Sequence, residues 1–527
     1  MNPYYKLFAI KDLSGMSADL AIEHIGILTD HAFELRKIEG IRQAIALSER
    51  IWERKLTAYQ TAILHYHIAN AWGNLHKLSI TGPADLWKWE QAEVESQLIH
   101  LRRAVIAIQK DNVEQRFKRQ ACPIYTNLAG TLSQIGRFVE AVAYWDKALD
   151  FIPDFSMARG NRGAGLVHYA HSLYDDAHAL IFFRHAYDDL ESALKKGVEP
   201  HARPVFEGYR KELKKVLSAD ALKARIDLSS FSLGESDEAV DYKKWCLKNR
   251  LFLNPLNDLG EYPAAASDIL STPSIVMKKG ETPYFHGYYN QLKQELVSAR
   301  WLYYESAGRA EKHFSDENVL LFDTLDGPVY GLAVEKEKLS FRMAYSLFDK
   351  IAFFLNRYLN IHMEDKKVNF RTLWYLFPVK AKKLREKLAD SQNWPLRGLF
   401  WLSKELYEDK EGFKDALEPE ARQIHAIRNH LEHKYLKLHD SSWQGPSADE
   451  GVDDFDDSLE FSLSRMDFEA RTLRILKMAR AALIYLSLTV HAEESRRSLA
   501  REEEEIPVME LPIIGSDMKN GSTQSHR

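Results

Sequence analysis

Cysteine is scarce in this chain, long apolar runs are missing, and neither sign of charge dominates. Two cysteines occur among 527 residues, and Cys122 and Cys246 lie far apart, which argues against a disulfide framework and is typical of a reducing compartment. The longest mostly apolar stretch, residues 479–492, is too short to cross a bilayer. The N-terminal residues also lack the basic start and apolar run of a secretory signal. We therefore expect a cytoplasmic protein with no membrane-spanning segment.

The charge balance excludes a chain that binds polyanions over its whole surface. Lysine and arginine number 71, aspartate and glutamate 76, and the formal net charge is -5. Any nucleic-acid site must therefore be a local basic patch. With 45% hydrophobic and 28% charged residues the composition is that of a soluble globular protein, and the length allows roughly three or four domain-sized units.

The N-terminal part shows the spacing of a helical repeat. Apolar and small residues recur where two helices joined at Gly136 would face each other: Tyr125, Leu128, Ala129, Leu132, Gly136, Phe138, Ala141, Trp145, Ala148 and Pro153. This pattern resembles the 34-residue tetratricopeptide repeat, although a helical domain of another type is an alternative. Because one hairpin cannot bury both of its faces, we predict a repeat solenoid over residues 1–215. Such a solenoid offers a concave surface to a protein or peptide partner and carries no chemistry of its own.

The remainder divides into a connector, a second helical part and a tail. Residues 216–338 are rich in turn formers between apolar residues and are predicted to connect the two helical parts. From residue 339 the helical period returns, which predicts a bundle over 339–500, and residues 501–527 are predicted to be disordered. The first helix of the bundle carries an apolar stripe: Ala344, Leu347, Phe348, Ile351, Ala352, Leu355 and Tyr358. Further helices are predicted over residues 371–388, 396–407, 418–439 and 466–497. The predicted fold class is all-α.

The segment Arg428-Asn429-His430-Leu431-Glu432-His433 carries residue types that RNA cleavage requires. The guanidinium of an arginine matches phosphate oxygens with a fork of donors. A histidine titrates near neutral pH and can take up and return a proton. RNA supplies its own 2'-hydroxyl as nucleophile, so a protein needs a base for that proton, an acid for the leaving oxygen and a cation for the phosphorane charge.

This segment resembles the R-x4-6-H signature of the HEPN superfamily (higher eukaryotes and prokaryotes nucleotide-binding domain). Residues 344–352 are similar to the helix that packs beside that signature, and the order of repeats and bundle is similar to that of a bacterial HEPN subgroup. The resemblance implies an endoribonuclease that needs no metal and no cofactor, and a role as a toxin or as an effector of stress response or phage defence. It implies Arg428 as phosphate clamp, His433 as general acid and base, Asn429 as a supporting residue, and products with a 2',3'-cyclic phosphate and a 5'-hydroxyl.

Helix geometry bears on how the two residues could meet. Positions 428 and 433 are five residues apart, or about 140° around an ideal helix. One helix therefore does not aim both side chains at one point, whereas two helices paired by a two-fold axis could gather them in one cleft. The resemblance implies such a pairing, so we expect a homodimer formed through the C-terminal bundle.

Plainer interpretations compete with these patterns. Arg428 and Glu432 have the i,i+4 spacing of an ordinary surface ion pair, and His433 could be a surface histidine. The segment lacks the paired histidines of the H-E-x-x-H zinc motif, so no metal site is predicted. Residues 160–165 superficially suggest a phosphate loop, but they fall within a predicted repeat helix and indicate close helix packing. The neighbouring histidines are expected to be solvated or packing residues: His425, His430 and His439.

Two charged regions bear on RNA binding. Basic residues recur every three positions on the last long helix and are candidate RNA contacts, with a solvated face as the plainer explanation: Arg471, Arg474, Lys477 and Arg480. An acidic loop over residues 449–460 carries seven carboxylates, which would repel RNA. This loop is either a disordered spacer or a lid that competes for the basic cleft until a partner engages the repeats.

These patterns predict an intracellular, dimeric endoribonuclease with RNA as substrate and a repeat arm that binds an unknown protein or peptide. The alternative is a non-catalytic interaction protein whose HEPN-like bundle binds RNA, nucleotide or protein.

Overall fold

The computed structural model describes residues 3–224, 226–278, 280–309, 312–324, 326–379, 382–389, 391–407, 419–440, 460–501, 507–515 and 519. This part of the chain is predominantly helical and contains one sheet of two strands. The predicted all-α class is therefore confirmed.

The helices fall into an N-terminal and a C-terminal set. The first set comprises α1 Pro3–Phe8, α2 Ala18–Glu34, α3 Ile38–Trp52, α4 Ala58–Ser79, α5 Pro83–Leu86, α6 Ala92–Gln109, α7 Val113–Arg116, α8 Lys118–Gln134, α9 Phe138–Phe151, α10 Ser156–Ser172, α11 Asp176–Lys196 and α12 Arg203–Val216. The second set comprises α13 Ala219–Lys223, α14 Asp237–Lys248, α15 Tyr284–Ser306, α16 Leu332–Tyr358, α17 Glu386–Ala389, α18 Trp394–Tyr407, α19 Pro419–His433 and α20 Arg465–Leu499. The strands β1 Tyr435–His439 and β2 Glu460–Ser464 pair in parallel, with Tyr435 opposite Glu460.

The helices α8 and α9 form the hairpin that the residue spacing predicts. The chain reverses at Gly136, whose φ of +87° lies in the left-handed region that favours glycine. A Cβ at this position would lie 2.3 Å from the carbonyl oxygen of Trp394, at the start of α18. Glycine therefore serves both the turn and the close approach of the C-terminal bundle.

Glycines of α10 allow close helix packing, as predicted for residues 160–165. A Cβ at Gly160 would lie 2.1 Å from the ring of Phe206 on α12, and one at Gly165 would lie 2.4 Å from the ring of Trp145 on α9. These residues lie inside a helix. The packing interpretation is confirmed.

A buried charge network joins the N-terminal helices to α18. The carboxylate of Glu405 accepts hydrogen bonds from Arg102, at 2.9 Å, and from Arg137. Beside it, Lys404 Nζ lies 2.7 Å from a carboxylate oxygen of Glu95. Burial alone would raise the pKa of Glu405, but the two guanidinium groups outweigh it and lower that pKa. The ionised carboxylate is therefore tolerated in the interior because it is fully paired.

The C-terminal bundle is built around α16 and α20. The predicted stripe on α16 is confirmed, since each of its residues is at most 2% exposed: Ala344, Leu347, Phe348, Ile351, Ala352, Leu355 and Tyr358. Helix α15 packs against both α16 and α20, and α18 packs against α20. One apolar core, with buried residues from Ala62 to Val490, runs from the N-terminal helices into this bundle.

One predicted helix of the bundle is wrong. Among the described residues of 371–388, that is 371–379 and 382–388, the structure has only the start of one α-helix, Glu386–Ala389. Leu373 and Trp374 are fully buried, so the apolar residues that suggested a helix pack from an irregular segment. Pro378 lies inside the predicted span and lacks the N–H that a helix interior requires. The helices predicted over 396–407 and 466–497 are present as α18 and α20.

The structure also bears on the cysteines and on membrane crossing. Cys122 and Cys246 are buried thiols not joined in a disulfide, and burial raises their pKa values to about 11 and about 12. Among the described residues, no helix is both long enough and apolar enough to cross a membrane.

Candidate functional site

The motif Arg428–His433 lies at the C-terminal end of α19, and the chain then changes to a strand. Lys434 N donates to His430 O at 3.1 Å, which closes the last helical turn. In β1, Leu436 and Leu438 are buried, whereas Tyr435 is 40% exposed. The helix predicted over residues 418–439 is therefore wrong beyond His433, because this short alternation pairs with β2, a partner distant in sequence.

The side chain of Arg428 is half-buried and lies toward α16. Its Nη1 donates to Asn429 Oδ1 at 3.1 Å, and its guanidinium carbon lies 6.0 Å from the centre of the Tyr345 ring. Burial raises the pKa of Tyr345 to about 12, so this ring is neutral near neutral pH. Burial also raises the pKa of Asp349, and the positive charge of Arg428 partly opposes that rise. The arginine is thus oriented by an amide, a ring and a nearby carboxyl group.

His433 is exposed, in contrast to Arg428. Among the described contacts, none joins His433 to Arg428. This separation agrees with the angular offset of about 140° between the two positions on a helix. One chain therefore brings Arg428 and Asn429 together and leaves His433 on the surface at the helix end.

Glu432 pairs with Arg342 and not with Arg428, the partner that its i,i+4 spacing suggested. Glu432 lies 3.6 Å from the Nε of Arg342 on α16. The same guanidinium donates to the carbonyl oxygen of Leu431. Glu432 therefore ties α19 to α16, and Arg428 makes its contacts with Asn429 and Tyr345.

Two of the neighbouring histidines are packing residues. The Nδ1 of His430 lies 2.7 Å from Ala426 O, and its ring lies 5.3 Å from that of Phe461. His439 is 1% exposed, with Nδ1 3.1 Å from Asp326 O and Nε2 3.1 Å from Ser462 Oγ. The side chain of His425 lies outside the described residues.

The basic residues of α20 do not share one face. Arg480 is 1% exposed, its Nη1 lies 2.5 Å from Asp258, and its Nε donates to the carbonyl oxygen of Phe252. The prediction that Arg480 contacts RNA is therefore wrong. Arg480 and Arg471 are nine positions apart, which places them about 180° apart around the helix. The spacing alone therefore indicated that the two residues lie on opposite faces.

The other three basic residues are more accessible. Lys477 is exposed, and Arg471 and Arg474 are partly exposed. Arg471 Nη1 lies 3.7 Å from Asp467. Partial burial, together with the charges of Arg250 and Arg474, lowers the pKa of Lys477. These three residues stay candidates for RNA contacts.

Residues of α16 complete the site but were missed in the sequence. Arg342, Tyr345 and Asp349 follow i, i+3, i+7 spacing, which places them on one helix face. Polar residues at that spacing beside an apolar stripe were the available signal. These residues belong to the site only because α16 packs against α19, whose motif lies some eighty residues further along the chain.

The strand after the motif meets a preceding segment through polar side chains. The hydroxyl groups of Tyr435 and Tyr330 lie 2.7 Å apart, and Lys437 Nζ lies 2.6 Å from Asp326 and 2.9 Å from Glu460. Most of the acidic loop at 449–460 lies outside the described residues. Its last member, Glu460, contacts Lys437.

A family match covers both the motif and the helix α16 that packs beside it. Residues 276–493 match the family described as LA2681-like HEPN. The match supports the HEPN superfamily for this part of the chain, and it contains helices α15 to α19 and most of α20. No curated protein and no solved structure matches the chain. The N-terminal helices lie outside the matched range.

Proposed function

We propose that this protein is a metal-independent endoribonuclease of the HEPN type. The observation that carries the proposal is the motif at the end of α19, which lies inside the range that matches LA2681-like HEPN. The superfamily match by itself supports a nuclease-like or RNA-binding role, and the residues of the motif favour cleavage.

The motif residues can divide the chemistry between them. Arg428, oriented by Asn429, binds the non-bridging oxygens of the scissile phosphate and offsets the charge of the phosphorane. The 2'-oxygen attacks phosphorus and loses its proton to a base, the bond from phosphorus to the 5'-oxygen breaks, and that oxygen takes up a proton from an acid. His433 serves as base and acid, since an imidazole exchanges protons near neutral pH. The products are a 2',3'-cyclic phosphate and a 5'-hydroxyl.

A homodimer would unite residues that one chain holds apart. Arg428 faces α16, whereas His433 is exposed at the end of α19. A two-fold axis beside this helix end would place His433 of one copy near Arg428 of the other. We therefore propose that the active cleft is composite and forms between two C-terminal bundles.

The N-terminal helices are proposed to act as a tetratricopeptide-like docking arm. They contact α18 through the buried carboxylate of Glu405, and α18 packs against the motif helix α19. A protein or peptide bound to the arm could thus influence the site through a continuous packed path. A role as a toxin or as a stress or phage-defence effector follows from the superfamily resemblance.

The test is cleavage of total RNA by purified protein in the presence of EDTA. We expect Arg428→Ala and His433→Ala each to reduce the cleavage rate at least about a hundredfold, since each removes one partner of the phosphoryl transfer. The matched control is His430→Gln, a substitution in the same helix turn at a packing histidine, which should stay within a few-fold of wild type. Mass spectrometry of the products should show the cyclic phosphate.

The outcome also decides between the enzyme and the non-catalytic alternative. Cleavage that survives both alanine substitutions would refute the assignment of the site. RNA binding without cleavage under any condition would favour the interaction protein, in which the half-buried Arg428 only holds phosphate.

A further inference from the structure

Two exposed tyrosines are held tip to tip beside the motif. Tyr330 is 46% exposed and Tyr435 is 40% exposed, and their hydroxyl oxygens lie 2.7 Å apart. The rings come from segments 105 residues apart. Because the hydroxyl groups bond to each other, what the pair offers to solvent is aromatic surface.

The backbone that carries the two rings is anchored on several sides. Val329 N donates to Leu438 O at 2.7 Å, and Pro328 forms a bridge with His439. The ammonium group of Lys437 lies 5.5 Å from the centre of the Tyr435 ring and is neutralised by Asp326 and Glu460. The tyrosines therefore stand on a fixed base, and Lys437 is already engaged by carboxylates.

The pair lies next to the residue that is proposed to move the proton. Tyr435 follows His433 by two positions, so their Cα atoms are at most ~7 Å apart. The segment before the pair is held to the start of α16, since Asp316 accepts a hydrogen bond from Leu332 N at 3.0 Å. Phe314 is 76% exposed. Phe314 thus adds another exposed ring in the segment that precedes Tyr330 in the chain.

We propose that Tyr330 and Tyr435 form a platform on which an unpaired nucleobase next to the scissile phosphate stacks. The inference rests on the proposed RNA cleavage and adds the part of the substrate that is recognised. Single-stranded RNA is held mainly by stacking of splayed bases on aromatic side chains. Such a platform discriminates unpaired from paired RNA, because a base inside a duplex is already stacked on both faces.

The experiment measures binding of RNA that cannot be cleaved. A fluorescent oligonucleotide of mixed sequence with 2'-O-methyl groups lacks the nucleophile, so its anisotropy reports affinity alone. We expect Tyr435→Ala and Tyr330→Ala to weaken binding roughly tenfold. Tyr435→Phe and Tyr330→Phe keep the ring and should stay within about twofold of wild type.

A matched control lies at the other end of α16. Tyr284 is 51% exposed, and the adjacent Phe285 packs on Tyr358, about 20 Å along the helix from Tyr345. Tyr284→Ala should bind as wild type does. Thermal melting of every variant checks that the fold is retained.

Direct contact is tested with 5-iodouridine placed in turn along the oligonucleotide. We expect a photocrosslink to Tyr435 or Tyr330, and an abasic site at the crosslinked nucleotide should abolish the difference between wild type and the alanine variants.

Equal affinity of wild type and both alanine variants, with wild-type cleavage intact, would overturn the platform and leave the nuclease standing. A loss of affinity accompanied by a change of mass in solution would also overturn it, since the surface would then hold protein. Wild-type protein that neither binds nor cleaves RNA would overturn both proposals.

Discussion

At the residue scale, Arg480 and Lys477 are neighbours in sequence with opposite surroundings. Arg480 is 1% exposed and paired with Asp258, which is fully buried, whereas Lys477 is exposed. Arg480→Ala leaves the buried carboxylate of Asp258 with the Tyr169 hydroxyl as donor but without a counter-charge, and should lower the free energy of unfolding by about 3–5 kcal/mol. Lys477→Ala should change it by no more than about 0.5 kcal/mol. Urea denaturation of both variants measures the difference, and equal midpoints would contradict the burial of this pair.

A second prediction at this scale concerns the pH dependence of stability. His65 and His100 lie with their Nδ1 atoms 2.9 Å apart. Burial, with His100 and Arg103 nearby, lowers the pKa of His65 to about 2, and burial with Arg103 lowers that of His100 to about 4. In the unfolded chain both rings titrate near the ordinary value of about 6.5.

The unfolded state therefore gains protons first as pH falls. The free energy of unfolding is therefore highest above pH 6.5 and falls progressively below it. For each ring the fall is up to about 1.4 kcal/mol per pH unit, until the pKa of that ring in the folded protein is reached. We expect the melting temperature to fall between pH 7.5 and pH 5. Replacing both rings, His65→Gln with His100→Gln, should reduce this dependence and leave the part caused by His67, whose pKa burial lowers to about 4. An unchanged slope would show that other groups cause it.

At the element scale, the two halves of the chain approach closely at the turn of the α8–α9 hairpin. Gly136→Ala adds a Cβ at a φ of +87° and 2.3 Å from Trp394 O, and should destabilise by about 3 kcal/mol or more. Gly130→Ala, inside α8 with open space at its Cβ position, should be neutral or stabilise by up to about 1 kcal/mol. Chemical denaturation compares the two. A tolerated Gly136→Ala would mean that α18 does not lie against this turn.

Elements were predictable where their pattern is local. The hairpin at Gly136 and the stripe on α16 follow from the helical period within one segment. The strand β1 was predicted to be helical because its own five residues do not indicate a strand. They form one by pairing with β2, which lies some twenty residues further along the chain. The segment around Trp374 also has the apolar content of a helix without being one, since burial can make an irregular stretch as apolar as a helix face.

At the scale of the whole molecule, the proposed composite cleft makes a prediction about mixed dimers. If Arg428 of one copy acts with His433 of the other, a dimer of one Arg428→Ala chain and one His433→Ala chain retains one intact pair. We expect such heterodimers, purified through two different tags, to have about half of the wild-type cleavage rate. Each variant homodimer should cleave at no more than about a hundredth of the wild-type rate.

The control places both substitutions in the same chain. A dimer of one wild-type chain with one chain carrying Arg428→Ala and His433→Ala has no intact pair between copies and should be inactive. Activity of this control, with inactivity of the first heterodimer, would show that each site lies within a single chain. A monomeric mass in solution would contradict the composite cleft directly.

The sequence alone determined the helical class, the hairpin at Gly136, the core stripe of α16 and the motif Arg428–His433, because each depends on residues close together in the chain. Tertiary structure decided what those residues face. Only packing placed Arg428 over Tyr345, buried Arg480 against Asp258 and brought Tyr330 to Tyr435, since these contacts join segments tens to hundreds of residues apart. A residue's type limits the chemistry it can perform, whereas its burial and its distant neighbours decide whether that chemistry is available to a ligand.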